Sequence, residues 1–348
     1  MNDWLKTLAC AAITAVALTG CGGGGGGDVV EGGIGGTGVT YGPITAFGSI
    51  WVNGVRFDTS DSEIYVDGER SDENMLGLGM VVTVRGTVSS DGTSGTADRV
   101  DFSGEVEGPV TSLEVSPDGS GSMIVLEQVI VFDADTVFEA DDERIQPADI
   151  PLGALVEISG FTDGSGVIVA TRVEIENPEW EDEEVKVKGL IQDLSATTFR
   201  IGELLVEWSQ VAMLPDEPLT NGLYVEVYSG RGFDDAGRLL ADRIETDDDG
   251  SEGIGEDGED VDILGVVTAP LSAGVFELNG QPVRVSDSTE FDDGNIDDLV
   301  LNSVVKVEGR RVDSEIIAEE IEFEDDEDDS DDDSEDDSDD DSDDDSTS

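Results

Sequence analysis

Residues 42–57 read GPITAFGSIWVNGVRF, and residues 79–86 read GMVVTVRG. The first stretch opens on a short β-like run and then carries Asn53-Gly54 between the apolar segments Ile50 to Val52 and Val55 to Phe57. Asn-Gly is the pair that a two-residue type I′ hairpin selects, because both turn residues must take positive φ. In the second stretch Met80, Val82 and Val84 alternate with Val81, Thr83 and Arg85, so Met80, Val82 and Val84 share the buried face of a strand. The two stretches together predict a small β unit with no helical face.

That unit recurs, and the recurrence decides the fold. GPVTSL, GLIQDL and GVVTAP open further copies at Gly108, Gly189 and Gly265. Hairpin segments follow from Ile124, Phe199 and Phe276, with Leu126-Glu127, Gly202-Glu203 and Asn279-Gly280 at the turn; Leu126-Glu127 is the poorest turn pair. The later strands ALVEISG, LYVEVYSG and SVVKVEG begin just after Gly153, Gly222 and Asn302, where asparagine is the natural substitute if the position has positive φ. Their alternation assigns Ala154, Val156, Ile158, Leu223, Val225, Val227, Val305 and Val307 to the core, with Ser303 on the same face. Each copy closes on a related strand: ADRVDF from Ala97, ATRVEI from Ala170, ADRIET from Ala241 and AEEIEF from Ala318.

The expected fold is therefore all-β: four tandem small antiparallel β-barrel modules, similar to an oligonucleotide-binding (OB) fold, at residues 42–104, 105–176, 185–246 and 261–323. Barrel closure hides strand edges. The fold name implies no ligand, since function must be argued from a site.

Both ends differ from the repeats. Residues 1–20 have the form of an export signal, with Lys6 ahead of an apolar run too short to span a bilayer. Leu18-Thr19-Gly20-Cys21 is similar to the lipobox of bacterial lipoproteins, and that likeness implies cleavage before Cys21 and lipidation of its thiol and amine. Two or more acyl chains anchor stably where one is marginal. Gly22 is not the aspartate that signals inner-membrane retention, which points to the outer membrane, periplasmic or surface-facing. Residues 21–41 are glycine-rich and read as a flexible tether. Residues 324–348 hold 18 acidic residues in 25 positions and read as an extended, disordered tail that attracts divalent cations diffusely.

The GGIGGTG stretch from Gly32, the GPITAFGSIWVNGVRFDTS block from Gly42, GMVVTVRG from Gly79, GTADRVDF from Gly95 and EGPVTSL from Glu107 together resemble a bacterial family catalogued as domain of unknown function 5666. The resemblance implies tandem repeats and a Gram-negative envelope lipoprotein. It carries no catalytic residues.

Composition excludes whole classes of function. The chain has 348 residues, 84 acidic and 17 basic, a net charge of -67 and no histidine. Binding to nucleic-acid phosphates needs a Lys/Arg surface, so nucleic acid is excluded as a partner. An anionic membrane face is a poor partner for the same reason, which leaves the N-terminal lipid as the membrane contact. Serine and cysteine nucleophile systems built on imidazole, and imidazole metal sites, are impossible.

Four candidate features remain. Glu245, Asp247, Asp249 and Glu256 mimic a calcium loop with Gly250 at its sixth place, but Glu stands first, Glu252 takes an apolar position, and no helices flank it. Arg99, Arg172 and Arg243 recur at one position, taken by Glu320 in the last copy; the favoured reading is a cross-strand partner for an acidic neighbour on the wet face, ahead of an anion site. Trp51 and Trp208 fall in hairpin strands and read as core or rim. Trp180, in ENPEWEDEE, is the aromatic that a glycan site would use, although a cap on the third module is favoured.

The functional expectation is a non-enzymatic cell-envelope lipoprotein with a structural or interaction role and no cofactor, its protein or glycan partner unidentified. The alternatives are a protein that binds calcium or another divalent cation, and a glycan-binding or glycan-processing surface protein.

Overall fold

The computed structural model describes residues 36–141, 143–246 and 254–323. Cys21 and the acidic tail lie outside the described residues. Among those described there is no α-helix; three 3-10 turns, at Glu73–Met75, Pro147–Asp149 and Ile296–Asp298, punctuate strands. No helix of the described residues is long and apolar enough to cross a membrane.

The first strand set is β1 (Gly36–Ala46), β2 (Ile50–Val52), β3 (Val55–Asp58), β4 (Glu63–Val66), β5 (Glu69–Ser71), β6 (Val81–Val88) and β7 (Ser94–Phe102). β1 runs antiparallel to β2 and to β6, β2 and β3 form the hairpin, β3 lies parallel to β7, and β6 and β7 are antiparallel. The pairings close a five-strand barrel in the order β1-β2-β3-β7-β6. β4 extends it by lying parallel to β7.

The second set is β8 (Val106–Val115), β9 (Gly121–Val125), β10 (Gln128–Phe132), β11 (Val137–Ala140), β12 (Glu143–Arg144), β13 (Leu155–Thr162) and β14 (Ile168–Asn177). It repeats the circuit as β8-β9-β10-β14-β13. The third set is β15 (Val185–Leu190), β16 (Thr198–Ile201), β17 (Leu204–Glu207), β18 (Tyr224–Ser229), β19 (Leu239–Leu240) and β20 (Arg243–Thr246). Here the closing strand is split, so β17 pairs with β19 and β18 with β20. The bridge Gln192↔Arg200 joins the hairpin to the chain just after β15. The fourth set, β21 (Asp260–Ser272), β22 (Val275–Leu278), β23 (Gln281–Arg284), β24 (Glu290–Asp292), β25 (Val304–Val312) and β26 (Glu315–Phe323), closes again as β21-β22-β23-β26-β25.

One contact explains the glycine that opens every copy. A Cβ at Gly42 would overlap the Asn53 side chain, one at Gly265 the Asn279 side chain, one at Gly108 the Leu126 side chain and one at Gly189 that of Ile201. The hairpin tip folds back over the opening strand, and only a residue without a side chain lets it. Asn53, Gly54, Asn279 and Gly280 all have positive φ, as a type I′ turn requires. Leu126 and Glu127 adopt the same conformation at φ 47° and 60°, against their intrinsic preference, because Leu126 is 2% exposed and its burial outweighs the strain. Gly79, Gly153, Gly222 and Asn302 likewise have positive φ.

The alternating strands bury the predicted faces. Met80, Val82, Val84, Ala154, Val156, Ile158, Val225, Val227, Val305 and Val307 are all 5% exposed or less. Leu223 and Ser303 are half-buried. The second and third sets share one apolar core, and the first and fourth have their own.

The barrels continue into one another strand to strand. β1 lies parallel to β21 from Gly38↔Asp260 to Tyr41↔Ile263, and β8 lies antiparallel to β15 at Glu107↔Lys186 and Val106↔Val187. The first of these junctions corrects the tether boundary. Residues 36–41 belong to β1, and Val39 is 3% exposed within the core of the fourth set. Glycine content there reflects close strand approach, since a Cβ at Gly38 would press on the Asp260 carbonyl. Asn53 ties the same junction by donating Nδ2 to Asp262 Oδ1 at 2.9 Å. The first and second sets meet through Val81 N to Ser159 Oγ at 2.8 Å and Thr171 Oγ1 to the Gly79 carbonyl at 2.6 Å.

Candidate functional sites

The outward faces carry the chemistry. Cross-strand register aligns a single polar row across the sheet shared by the second and third sets: Glu139, Glu174, Glu157, Glu107, Lys186, Tyr228 and Arg243. Four carboxylates in succession would repel one another, and like charges directly opposite destabilise a sheet. Two cations and a neighbouring module limit that cost. Arg172, 3% exposed, holds Glu174 at 2.7 Å and Glu139 at 3.1 Å, and donates to the Leu78 carbonyl at 3.1 Å. Lys186, 1% exposed, binds Asp67 of the first set and Glu157 at 3.3 Å.

Ionisation follows from this crowding. Burial, then the charge of Glu157, pushes the Glu107 carboxyl up to about 8. Glu176 rises to about 7 through burial and the nearby Glu174. Glu157 is also raised, chiefly by burial. For Lys186 burial works against the ammonium, yet Glu157 and Asp67 outweigh it and the group stays charged. Glu157, Glu174 and Glu176 bring carboxylate oxygens within 4.8 Å of one another.

A second polar region is a cleft of about 790 Å³ with walls from all four strand sets. Its charged lining includes the buried Asp101, Asp163 and Lys188 and the half-buried Glu105. Glu105 accepts from Thr162 Oγ1 at 2.9 Å and from the Tyr224 hydroxyl at 3.3 Å. Tyr41 and Phe161 meet edge to face with centroids 6.2 Å apart.

The recurring arginines bind acidic neighbours on their own strands, two residues on. Arg99 Nε donates to Asp101 at 2.9 Å and lies over the Tyr65 ring, and Arg243 reaches Glu245 at 3.2 Å and lies over Tyr228. Arg172 departs from the wet-face expectation because the first set covers it. Glu320, in place of arginine, rises to about 7 through burial and its neighbours Asp292 and Glu308.

Of the calcium-loop residues, Asp247 and Asp249 lie outside the described residues, Glu245 is held by Arg243, and the exposed Glu256 donates its backbone N–H to Glu259. Trp180 acts as a cap: its backbone N–H reaches the Gly153 carbonyl at 2.9 Å, Nε1 donates to the Glu183 carbonyl at 3.0 Å, and its ring lies against Gly232. Trp208 packs against the shared core, while Trp51 is half-buried on the first hairpin. Sequence reasoning missed the polar row and the cleft. Glu107 and Glu157 are visible as outward strand positions, but their register with Lys186 is a tertiary fact.

The fold and these polar surfaces define a class: an all-β repeat protein of small barrels with acidic outer faces. The chain belongs to the family described as "Domain of unknown function (DUF5666)", which matches residues 41–101, 107–174 and 265–322, more than half its length. The matched stretches fall on the first, second and fourth strand sets. No curated protein matches the chain.

Proposed function

We propose that this chain is a non-enzymatic lipoprotein of the bacterial outer membrane, built of four OB-like modules, that presents an acidic surface and tail to envelope partners. The lipobox ending at Cys21 supports the anchor. The OB-like reading is supported by the strand order, in which the hairpin's second strand lies parallel to the closing strand in the first, second and fourth sets. The third set, with its split closing strand, is read as a divergent copy of the same module.

The observation that carries the functional reading is the direction of the chain at its two exits. β1 is parallel to β21, β21 and β26 are both antiparallel to β25, and so β1 and β26 run the same way. The chain enters at Gly36 and leaves at Phe323 from opposite ends of one sheet, roughly 20 Å apart along the strands. An anchor ahead of β1 and the acidic residues after Phe323 are then attached at opposite ends of that sheet. Labelling with a clickable fatty acid, followed by membrane fractionation, tests this reading. Wild-type protein is labelled and sediments with outer membrane, Cys21→Ser is neither labelled nor sedimented, and an unlabelled, soluble wild type would overturn it.

A further inference from the structure

We propose that the four-walled cleft is a binding site for a small, flexible organic polycation of the polyamine class. This goes beyond the envelope role. Among the described residues, seven carboxylates line the cleft against one ammonium, that of Lys188, and one of the seven, Asp101, is already held by Arg99 from outside it. Four of them, Glu127, Glu203, Glu217 and Glu277, stand exposed around the rim, while Asp101 and Asp163 are 7% and 4% exposed on the floor.

Asp163 supplies the second, independent observation. Its Oδ1 accepts from Ser165 N and Ser165 Oγ, both at 2.7 Å, and from Val167 N at 2.9 Å. Its Oδ2 is buried and has no hydrogen-bond partner among the described residues. A desolvated carboxylate oxygen without a partner is costly, and positive charge held in the cleft beside Asp163 offsets that cost through space.

The arrangement selects among cations. Calcium wants six or more converging oxygens, and magnesium a tight octahedron. Among the described residues the one trio of carboxylates close enough to share an ion, Glu157, Glu174 and Glu176, lies outside the cleft. The cleft's acids are spread from floor to rim and come from all four strand sets, which suits several ammonium groups spaced along one chain. Between them Tyr41, Val81 and Phe161 offer apolar wall for methylene segments. The volume falls within the usual range for small-molecule sites.

The test is titration calorimetry of the full chain with spermidine at about 0.15 M salt, where diffuse attraction to distant surface charge is screened. Two variants lose the same charge. One carries Glu127→Gln, Glu203→Gln, Glu217→Gln and Glu277→Gln; the other carries Asp61→Asn, Glu69→Gln, Glu114→Gln and Glu143→Gln, all exposed and outside the cleft. The wild type gives a saturable isotherm with one spermidine per chain, the rim variant binds about tenfold or more weakly, and the control variant stays within about twofold. Asp163→Asn, which keeps the Oδ1 turn, also weakens binding. Equal losses in the two quadruple variants, an unsaturable isotherm, or displacement of spermidine by magnesium at matched ionic strength would each overturn the proposal.

Discussion

The opening glycine of each copy and the hairpin tip that lies over it form a coupled pair. At Gly42 a methyl group would strike Asn53, whose Nδ2 also reaches the Tyr41 carbonyl at 3.1 Å. Gly42→Ala is expected to cost about 1–3 kcal/mol, the usual range for overpacking. In an Asn53→Gly background the same substitution should cost under about 0.5 kcal/mol, because the obstructing side chain is gone. Urea denaturation of the four proteins in this cycle checks the coupling; additive losses would show that Gly42 is there for another reason. The pair was half legible in sequence. Asn53-Gly54 announced its turn, and the repeat of Gly42, Gly108, Gly189 and Gly265 was plain, but the clash linking the two positions depends on how the hairpin folds back.

At the scale of strands, the junctions between barrels carry the new information. Alternation predicted β6, β13, β18 and β25 and their buried faces well, because period two and a half-buried sheet leave a strong imprint on sequence. It could not pair strands across copies. Gly36 to Tyr41 reads as tether because glycine there suppresses any apolar period, yet β1 uses those glycines to approach β21. Gly38→Val, which would push against the Asp260 carbonyl, should break this parallel pairing. Amide exchange should then rise about tenfold or more at Asp262 and Leu264, whose N–H groups face β1, and stay unchanged at Lys188, which donates to the Glu105 carbonyl next to the β8–β15 junction. Unchanged exchange at Asp262 would mean that the pairing contributes little. The third set shows the opposite failure: its strands follow the pattern, but Ala241-Asp242 interrupts the closing strand, and the segment lies outside the family's matched residues.

The whole molecule is set by its acidity. Glu107 faces Glu157 and Lys186 across the sheet, with Asp67 and Glu176 near, and its carboxyl titrates at about 8 in the folded chain against an ordinary 4.5. A carboxyl raised in the folded state binds more protons there than in the unfolded chain. Its contribution is therefore favourable below about pH 4.5 and is lost progressively as pH climbs through 8. Glu107→Gln should raise Tm at pH 9, do little at pH 4, and flatten the decline between. Glu114→Gln, exposed on the same strand, removes equal net charge and should leave that slope in place. Thermal melts across this range decide; matching curves for the two variants would trace the decline to global repulsion.

Sequence alone determined what depends on local chemistry: the β period, the recurrence of a glycine-opened β unit, the Asn-Gly turns, and a composition of 84 acids without histidine, which leaves no imidazole for catalysis. Tertiary structure decided what depends on residues far apart in the chain. It joined β1 to β21 and β8 to β15, buried Arg172 and Lys186 as counter-ions between barrels, and gathered seven carboxylates of the described residues around one cleft. The physical reason is that a residue's type and its immediate neighbours set conformation and solvation, whereas which charges meet, and which are left without a partner, is set by register and packing between strands that the repeat makes nearly alike.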